Sequence, residues 1–292
     1  MSKLSLFLFI ILTFFLIVPQ PAEALTQTEK ALLLQQIEIL RHEVQLLQSL
    51  LLNLQLQQEI SAASYLAVNL SDNSILLQKN PVLPHPIASV TKLMTALIAL
   101  ENIDMNRKIT LTEEMLRPWG HSPSLYLGLN VSAENLLKAS LIQSTNDAAE
   151  ALAYFLGKEK FLNLMNQKAK ELGMKNTVFY DVHGLNPRNL STAADLAKLV
   201  AYIYQQHLEI LQITRNNNFW LPDSGGTLLK FQNVNNFYPL PEFIGGKTGY
   251  LPEARQTLAS IFNVNGKSVA IILLYSNNRQ ADIFTILNRL RK

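Results

Sequence analysis

Three short polar strings far apart in the chain must meet in one place if any of them is to do chemistry. They are Ser89-Val90-Thr91-Lys92, Ser144-Thr145-Asn146 and Lys247-Thr248-Gly249. A serine with a lysine three residues on is expected about once by chance in a chain of ordinary composition and this size. Here it occurs once, and so does Lys-Thr-Gly. A fold that joins positions 89, 144 and 247 needs a core spanning most of the sequence, and 48% hydrophobic residues in 292 can build one.

Other classes drop out on composition. A formal charge of +3, with no basic run, argues against nucleic-acid binding. The absence of cysteine excludes disulfides and thiolate chemistry. His42, His85, His121, His183 and His207 never stand at metal-ligand spacing. Neither a metal nor a cofactor is expected.

The N-terminus carries Lys3, an apolar run from Leu4 to Val18 broken only by Ser5 and Thr13, and then Ala22-Glu23-Ala24. This is the pattern of a secretory signal over 1–24 cut after Ala24, and it implies export. The apolar run would be about 22 Å long as a helix, against a hydrocarbon core of about 30 Å. Membrane attachment is therefore expected only if the signal is retained.

Positions 25–60 predict a long amphipathic helix, because Thr26 to Ile60 contains no Gly or Pro. Leu33, Ile37, Leu40, Val44, Leu47, Leu51 and Leu54 alternate at spacings of four and three. Ile37 and Val44 at a, with Leu33, Leu40, Leu47 and Leu54 at d, suit a parallel homodimer through residues 26–60. Leu32, Leu34, Ile39, Leu46, Leu50, Leu52 and Leu56 widen the stripe, which suits a leader helix packed on its own domain. Both readings stay open.

Residues 61–292 form the expected catalytic domain. Strands are predicted over 65–70 and 75–78, joined by the turn-rich Ser71-Asp72-Asn73, and a buried helix over 90–100. Further helices fall between Ala133 and Gln206. Strands follow at 245–250, 256–264 and 267–275, the last two joined by the hairpin signal Asn265-Gly266, and a helix closes the chain at 282–291. Strands at both ends around a helical insertion predict an α+β antiparallel sheet.

A serine hydroxyl becomes nucleophilic only beside a base. On one helix Lys92 reaches Ser89 three residues back, with Cβ atoms about 5–6 Å apart. To act near neutrality it must lose much of its basicity, and burial with Lys247 as a second cation supplies that direction. Asn146 can accept from Lys92, and Ser144 can pass a proton to a leaving nitrogen. Gly245-Gly246 before Lys247 would leave backbone bare for a ligand. The backbone N–H groups of Ser89 and Tyr250 are candidates for an oxyanion hole. Ser71-Asp72-Asn73 also spells a Ser-x-Asn string, but it precedes the nucleophile in a predicted turn and is set aside.

The order of the three strings resembles that of penicillin-binding proteins and serine β-lactamases. Over roughly residues 62 to 290 the chain is similar to the serine D-Ala-D-Ala carboxypeptidases of that superfamily. Pro86-Ile87-Ala88, Asn146-Asp147-Ala148-Ala149, Gly173-Met174 with Thr177 and Phe179, Gly184-Leu185 and Ser191-Thr192-Ala193 carry the similarity beyond the motifs. The resemblance implies a β-lactamase/DD-peptidase-like fold, with an antiparallel sheet flanked by helices, an all-helical subdomain and a cleft between them. It implies Ser89 as acylated nucleophile, Lys92 as base and Ser144 as proton relay. Asn146 would contact Lys92 and peptide, Lys247 and Thr248 would hold the terminal carboxylate, and Gly249 and Tyr250 would flank the substrate. It also implies peptidoglycan D-Ala-D-Ala peptides as substrates and β-lactams as inhibitors. Leu251 and Arg255 depart from the threonine and glycine of many relatives. Endopeptidase, transpeptidase and non-catalytic scaffold readings stay as alternatives. A class A β-lactamase is disfavoured because Asp181-Val182-His183-Gly184-Leu185-Asn186 offers no glutamate for deacylation.

Overall fold

In the computed structural model, which describes residues 26–57, 59–120, 122–223 and 225–291, two units divide the chain near residue 57. The expected signal over 1–24 lies outside the described residues. The first unit contains helix α1, Gln27–Gln57, slightly shorter at both ends than the expected 25–60. Its start is a reciprocal cap: the Thr26 backbone N–H donates to Glu29 Oε2 at 2.8 Å, and the Glu29 N–H donates to Thr26 Oγ1 at 3.3 Å. Leu33, Ile37, Leu40, Val44 and Leu47 are exposed along it. Among the described residues no helix is long and apolar enough to cross a membrane.

The second unit begins with β1 (Ser64–Asn69), β2 (Ile75–Lys79) and β3 (His85–Pro86). A 3₁₀ turn, Ala88–Thr91, then leads into α2 (Lys92–Asn102). After β4 (Lys108–Thr110) and β5 (Asn130–Ser132) come α3 (Ala133–Ile142), α4 (Asn146–Tyr154) and α5 (Lys158–Glu171). Next are β6 (Leu190–Ser191), α6 (Ala193–Gln206), α7 (Leu208–Arg215) and the strands β7 (Asn218–Pro222) and β8 (Leu228–Gln232). The chain closes with β9 (Phe243–Leu251), β10 (Arg255–Val264), β11 (Lys267–Ser276) and α8 (Arg279–Leu290).

The main sheet is antiparallel in the order β2-β1-β11-β10-β9, so the two ends of the domain pair directly. Period-two alternation along β11 explains why it is buried on both faces. Ala270, Ile272 and Leu274 join the core of the helical subdomain. Val269, Ile271 and Leu273 join a second cluster with Ile283, Ile286 and Leu287 of α8. The expected antiparallel sheet with a helical insertion is the architecture found.

The Ser71-Asp72-Asn73 string lies in the β1–β2 turn, where Asp72 Oδ1 accepts from the Ser74 N–H at 2.9 Å and Asn73 has φ +58°. The helix expected over 90–100 begins as a 3₁₀ turn and becomes α-helical at Lys92, so Ser89 and Lys92 do not share one α-helix. Helix α7 and the β7–β8 hairpin were not foreseen.

Candidate active site

The 3₁₀ turn sets the first relationship in the site. Side chains three residues apart eclipse in that geometry, so Lys92 lies directly over Ser89, and its Nζ is 3.1 Å from Ser89 Oγ. The turn is entered through Ala88 at φ +49°, a left-handed conformation that a non-glycine residue adopts only under constraint from its surroundings. Those surroundings are close. A Cβ on Gly184 would lie 2.0 Å from Ala88 O, and one on Gly249 would lie 2.9 Å from the Ser89 nitrogen. Thr257 Oγ1 of β10 donates to Ile87 O at 3.0 Å and ties the turn to the sheet.

Lys92 is fully buried at the N-terminus of α2. Its ammonium donates to Ser89 Oγ, to Asn146 Oδ1 at 2.7 Å and to His183 O at 2.6 Å, so each N–H has an acceptor. Burial lowers its pKa to about 7, while Asp181 and Asp147 act in the opposite direction. Burial is the first cause, as expected, and the repulsion between Lys92 and Lys247 shows itself at Lys247. Lys247 is itself held well below its ordinary range by burial first, and then by Lys92 and Arg279.

Ser144 sits at φ +62° in the link between α3 and α4 and lines the cleft. Asn146, the first residue of α4, is held from both sides: Oδ1 accepts from Lys92, and Nδ2 donates to Trp119 O at 2.6 Å. Asp147 Oδ2 accepts from the Ser122 N–H at 2.8 Å and pins the loop that carries Trp119. Asp181 carboxylate oxygens accept from the backbone N–H groups of His183, Gly184 and Asn186, which shapes the turn presenting His183 O to Lys92.

The opposite wall is β9, the edge strand of the main sheet, whose Gly246 N–H donates to Thr214 Oγ1 at 2.9 Å. Thr248, Gly249 and Tyr250 line the cleft, whose volume is 250 Å³. The close approach of Gly249 to Ser89 brings the N–H groups of Ser89 and Tyr250 into one neighbourhood. Lys247 is buried, and its Nζ donates to Thr248 O at 2.9 Å. Gly245 and Gly246 do not make a bare ledge for a ligand. A Cβ on Gly245 would lie 2.6 Å from Leu211 Cβ of α7, and one on Gly246 would lie 2.4 Å from Ala259 O. The pair is there so that α7 and β10 can close on β9.

The cation that lines the cleft at this end is Arg279, which the sequence did not single out. It donates from Nη1 to Gly249 O at 2.9 Å, and burial lowers its pKa. One signal was available: Arg279 opens α8, where the helix dipole disfavours a cation, and such conflicts collect at functional sites. Trp119, which is 81% exposed on the cleft rim, had no sequence signal at all.

Residues 53–278 match the family model described as D-alanyl-D-alanine carboxypeptidase. The chain is 34% identical over 228 residues to the D-alanyl-D-alanine endopeptidase of Escherichia coli K12, covering 75% of this chain and 72% of that protein. It is 32% identical over 223 residues to the D-alanyl-D-alanine carboxypeptidase DacF of Bacillus subtilis 168, covering 72% of this chain and 57% of that one. The crystal structure of D-alanyl-D-alanine carboxypeptidase from Mycobacterium tuberculosis H37Rv superposes with a TM-score of 0.74 at 26% identity, over 80% of this chain and 91% of that one. The Streptomyces K15 DD-transpeptidase gives 0.72 at 26% identity, over 80% and 97%. With the family model covering most of the sequence and a burial-tuned serine–lysine pair at the floor of the cleft, the chain belongs to the D-alanyl-D-alanine carboxypeptidase family of penicillin-binding serine peptidases.

Proposed function

We propose that residues 61–292 remove the terminal D-alanine from peptidoglycan stem peptides through an acyl-enzyme on Ser89. The observation that carries this is Lys92: fully buried, in hydrogen-bond reach of Ser89 Oγ, and lowered to about 7. A base near neutrality is what proton abstraction from a serine requires. Neutral Lys92 takes the Ser89 proton as Oγ attacks the carbonyl carbon of the terminal peptide bond. The resulting oxyanion is met by the N–H groups of Ser89 and Tyr250. Ser144 relays the proton to the nitrogen of the leaving D-alanine, the C–N bond breaks, and water then hydrolyses the ester. Asn146 holds Lys92 and the peptide. Thr248 and Arg279 take the terminal carboxylate, and Lys247 holds Thr248 through its backbone oxygen.

The experiment is acylation by labelled penicillin and D-alanine release from a D-Ala-D-Ala peptide, for the wild type and Ser89→Ala. An adduct and release that both vanish in Ser89→Ala are expected; neither in the wild type would overturn the reading. Cleavage at a cross-link is the same chemistry, with the amine of the neighbouring stem peptide as a larger leaving group. That second reading is favoured by the endopeptidase relative at 34% identity.

The substrate puts this activity outside the cytoplasm, in the periplasm, the cell wall or on the outer face of the bacterial cytoplasmic membrane, with 1–24 as the export signal. The heptad side chains exposed on α1 support a homodimer through residues 26–60. Deleting 26–60 then halves the mass in light scattering; an unchanged mass rejects the dimer.

A further inference from the structure

Outside the cleft, one carboxylate is buried with no cation paired to it among the described residues. Asp282, in the first turn of α8, is 2% exposed. Its Oδ1 accepts from the Ser61 N–H at 2.7 Å, and its Oδ2 accepts from Ser61 Oγ at 2.9 Å and from Ser276 Oγ at 2.6 Å. Taking a carboxylate out of water is costly, and hydrogen bonds of this kind offset the cost. No step of the reaction above touches it.

Its partner Ser61 reaches across 221 positions and does more than hold Asp282. Ser61 Oγ also accepts from the backbone N–H groups of Asn277 at 3.1 Å and Asn278 at 3.3 Å, so one hydroxyl fastens the link between β11 and α8. The next residue is Arg279, whose N–H donates to Gln256 Oε1 of β10 at 3.0 Å. Residues 276 to 279 are thus each tied by a bond to Ser61, Asp282 or Gln256. Starting the helix requires less. Asn278 Oδ1 already caps it by accepting from the Ala281 N–H at 3.1 Å. What the longer grip adds is a fixed origin for the Arg279 side chain, which lines the cleft and donates from Nη1 to Gly249 O.

We propose that Ser61 is a positioning residue for substrate binding, acting with Asp282 through the entry of α8 to set where Arg279 meets the terminal carboxylate. The inference rests on the peptidase reading, with Arg279 at that carboxylate, and adds a residue from the other end of the chain. Ser61 comes shortly after α1 ends at Gln57, so the segment that opens the second unit also fastens the cation of the cleft. Ser61→Ala keeps the backbone bond to Asp282 Oδ1, but it leaves the Asn277 and Asn278 N–H groups without their acceptor. A misplacement of about 1 Å can cost on the order of 100-fold in rate. Losing one of several ties should cost less.

The test measures D-alanine release from a D-Ala-D-Ala peptide by the full chain, with Ser61→Ala made alone and in an Arg279→Leu background. KM should rise about five- to tenfold in Ser61→Ala while kcat stays within about twofold. Ser61→Thr, which keeps the hydroxyl, should return most of the loss. In the Arg279→Leu background the same substitution should add less than about twofold, because the group it positions is gone. Asp282→Asn keeps the shape and one acceptor; it should give the same pattern more weakly, and it carries the test if Ser61→Ala does not fold. An unchanged KM in the folded variant, or an equal loss in both backgrounds, would end the positioning role and leave the peptidase standing. No release by the wild type would end both.

Discussion

The ammonium nitrogen of Lys92 lies 2.7 Å from the side-chain oxygen of Asn146, and both residues are buried. Asn146 is in turn fixed by Trp119 O, so the position of the base depends on a loop that touches neither Ser89 nor Lys92 by hydrogen bond. Asn146→Ala strips one acceptor from a buried cation. A hydrogen bond to a charged group contributes about 1.5–3 kcal/mol, so acylation by penicillin should slow by about 10- to 100-fold. Losing a bond that favours the charged form also moves the acid limb of the rate profile to lower pH. A rate within twofold of wild type would show that Asn146 does not position the base.

Acylation should rise with pH and reach half its plateau near 7, because Lys92 is a base only when neutral and its pKa is about 7. Stability follows the same group. The unfolded state keeps a lysine protonated up to its ordinary 10.5, so between about 7 and 10.5 it binds more protons than the folded state, and stability rises with pH across that window. Lys92→Met should therefore melt above the wild type at pH 6, with the gap narrowing towards pH 10. A constant gap would mean that Lys92 keeps an ordinary pKa.

Arg279→Leu should raise KM for peptides with a free terminal carboxylate, costing about 10- to 100-fold in kcat/KM. The same peptide ending in a carboxamide should be a poor substrate for both proteins, with little further loss in the variant. An equal loss on both peptides would assign Arg279 only its bond to Gly249 O.

Two glycines with similar φ angles test the packing around the nucleophile. Gly184 has φ +89° and a virtual Cβ inside Ala88, whereas Gly157 has φ +86° and open space. Gly157→Ala should cost about 1–3 kcal/mol, the backbone strain alone, lowering the melting temperature by about 2–12 °C. Gly184→Ala should cost more than about 4 kcal/mol, or survive only by displacing the 3₁₀ turn and losing penicillin binding. Equal melting temperatures for the two variants would show that Ala88 moves aside freely.

The sequence by itself determined what is local. Short apolar runs made β10 and β11 readable as strands, Asn265-Gly266 announced their hairpin, and the three polar strings identified Ser89, Lys92, Ser144, Asn146, Lys247 and Thr248 as residues to bring together. Ser71-Asp72-Asn73 could be set aside because a turn needs those side chains for its own backbone.

Only the tertiary structure decided which groups became neighbours of the reacting atoms. The acceptor from His183, the cation of Arg279 and the packing role of Gly245-Gly246 depend on contacts across as many as 91 positions, which no periodicity encodes. The same is true of the pKa of Lys92. A lysine reads the same in any sequence, and its basicity falls only when folding removes water from around it. That burial requires the sheet, the helical subdomain and the turn at Asp181 to close on one nitrogen.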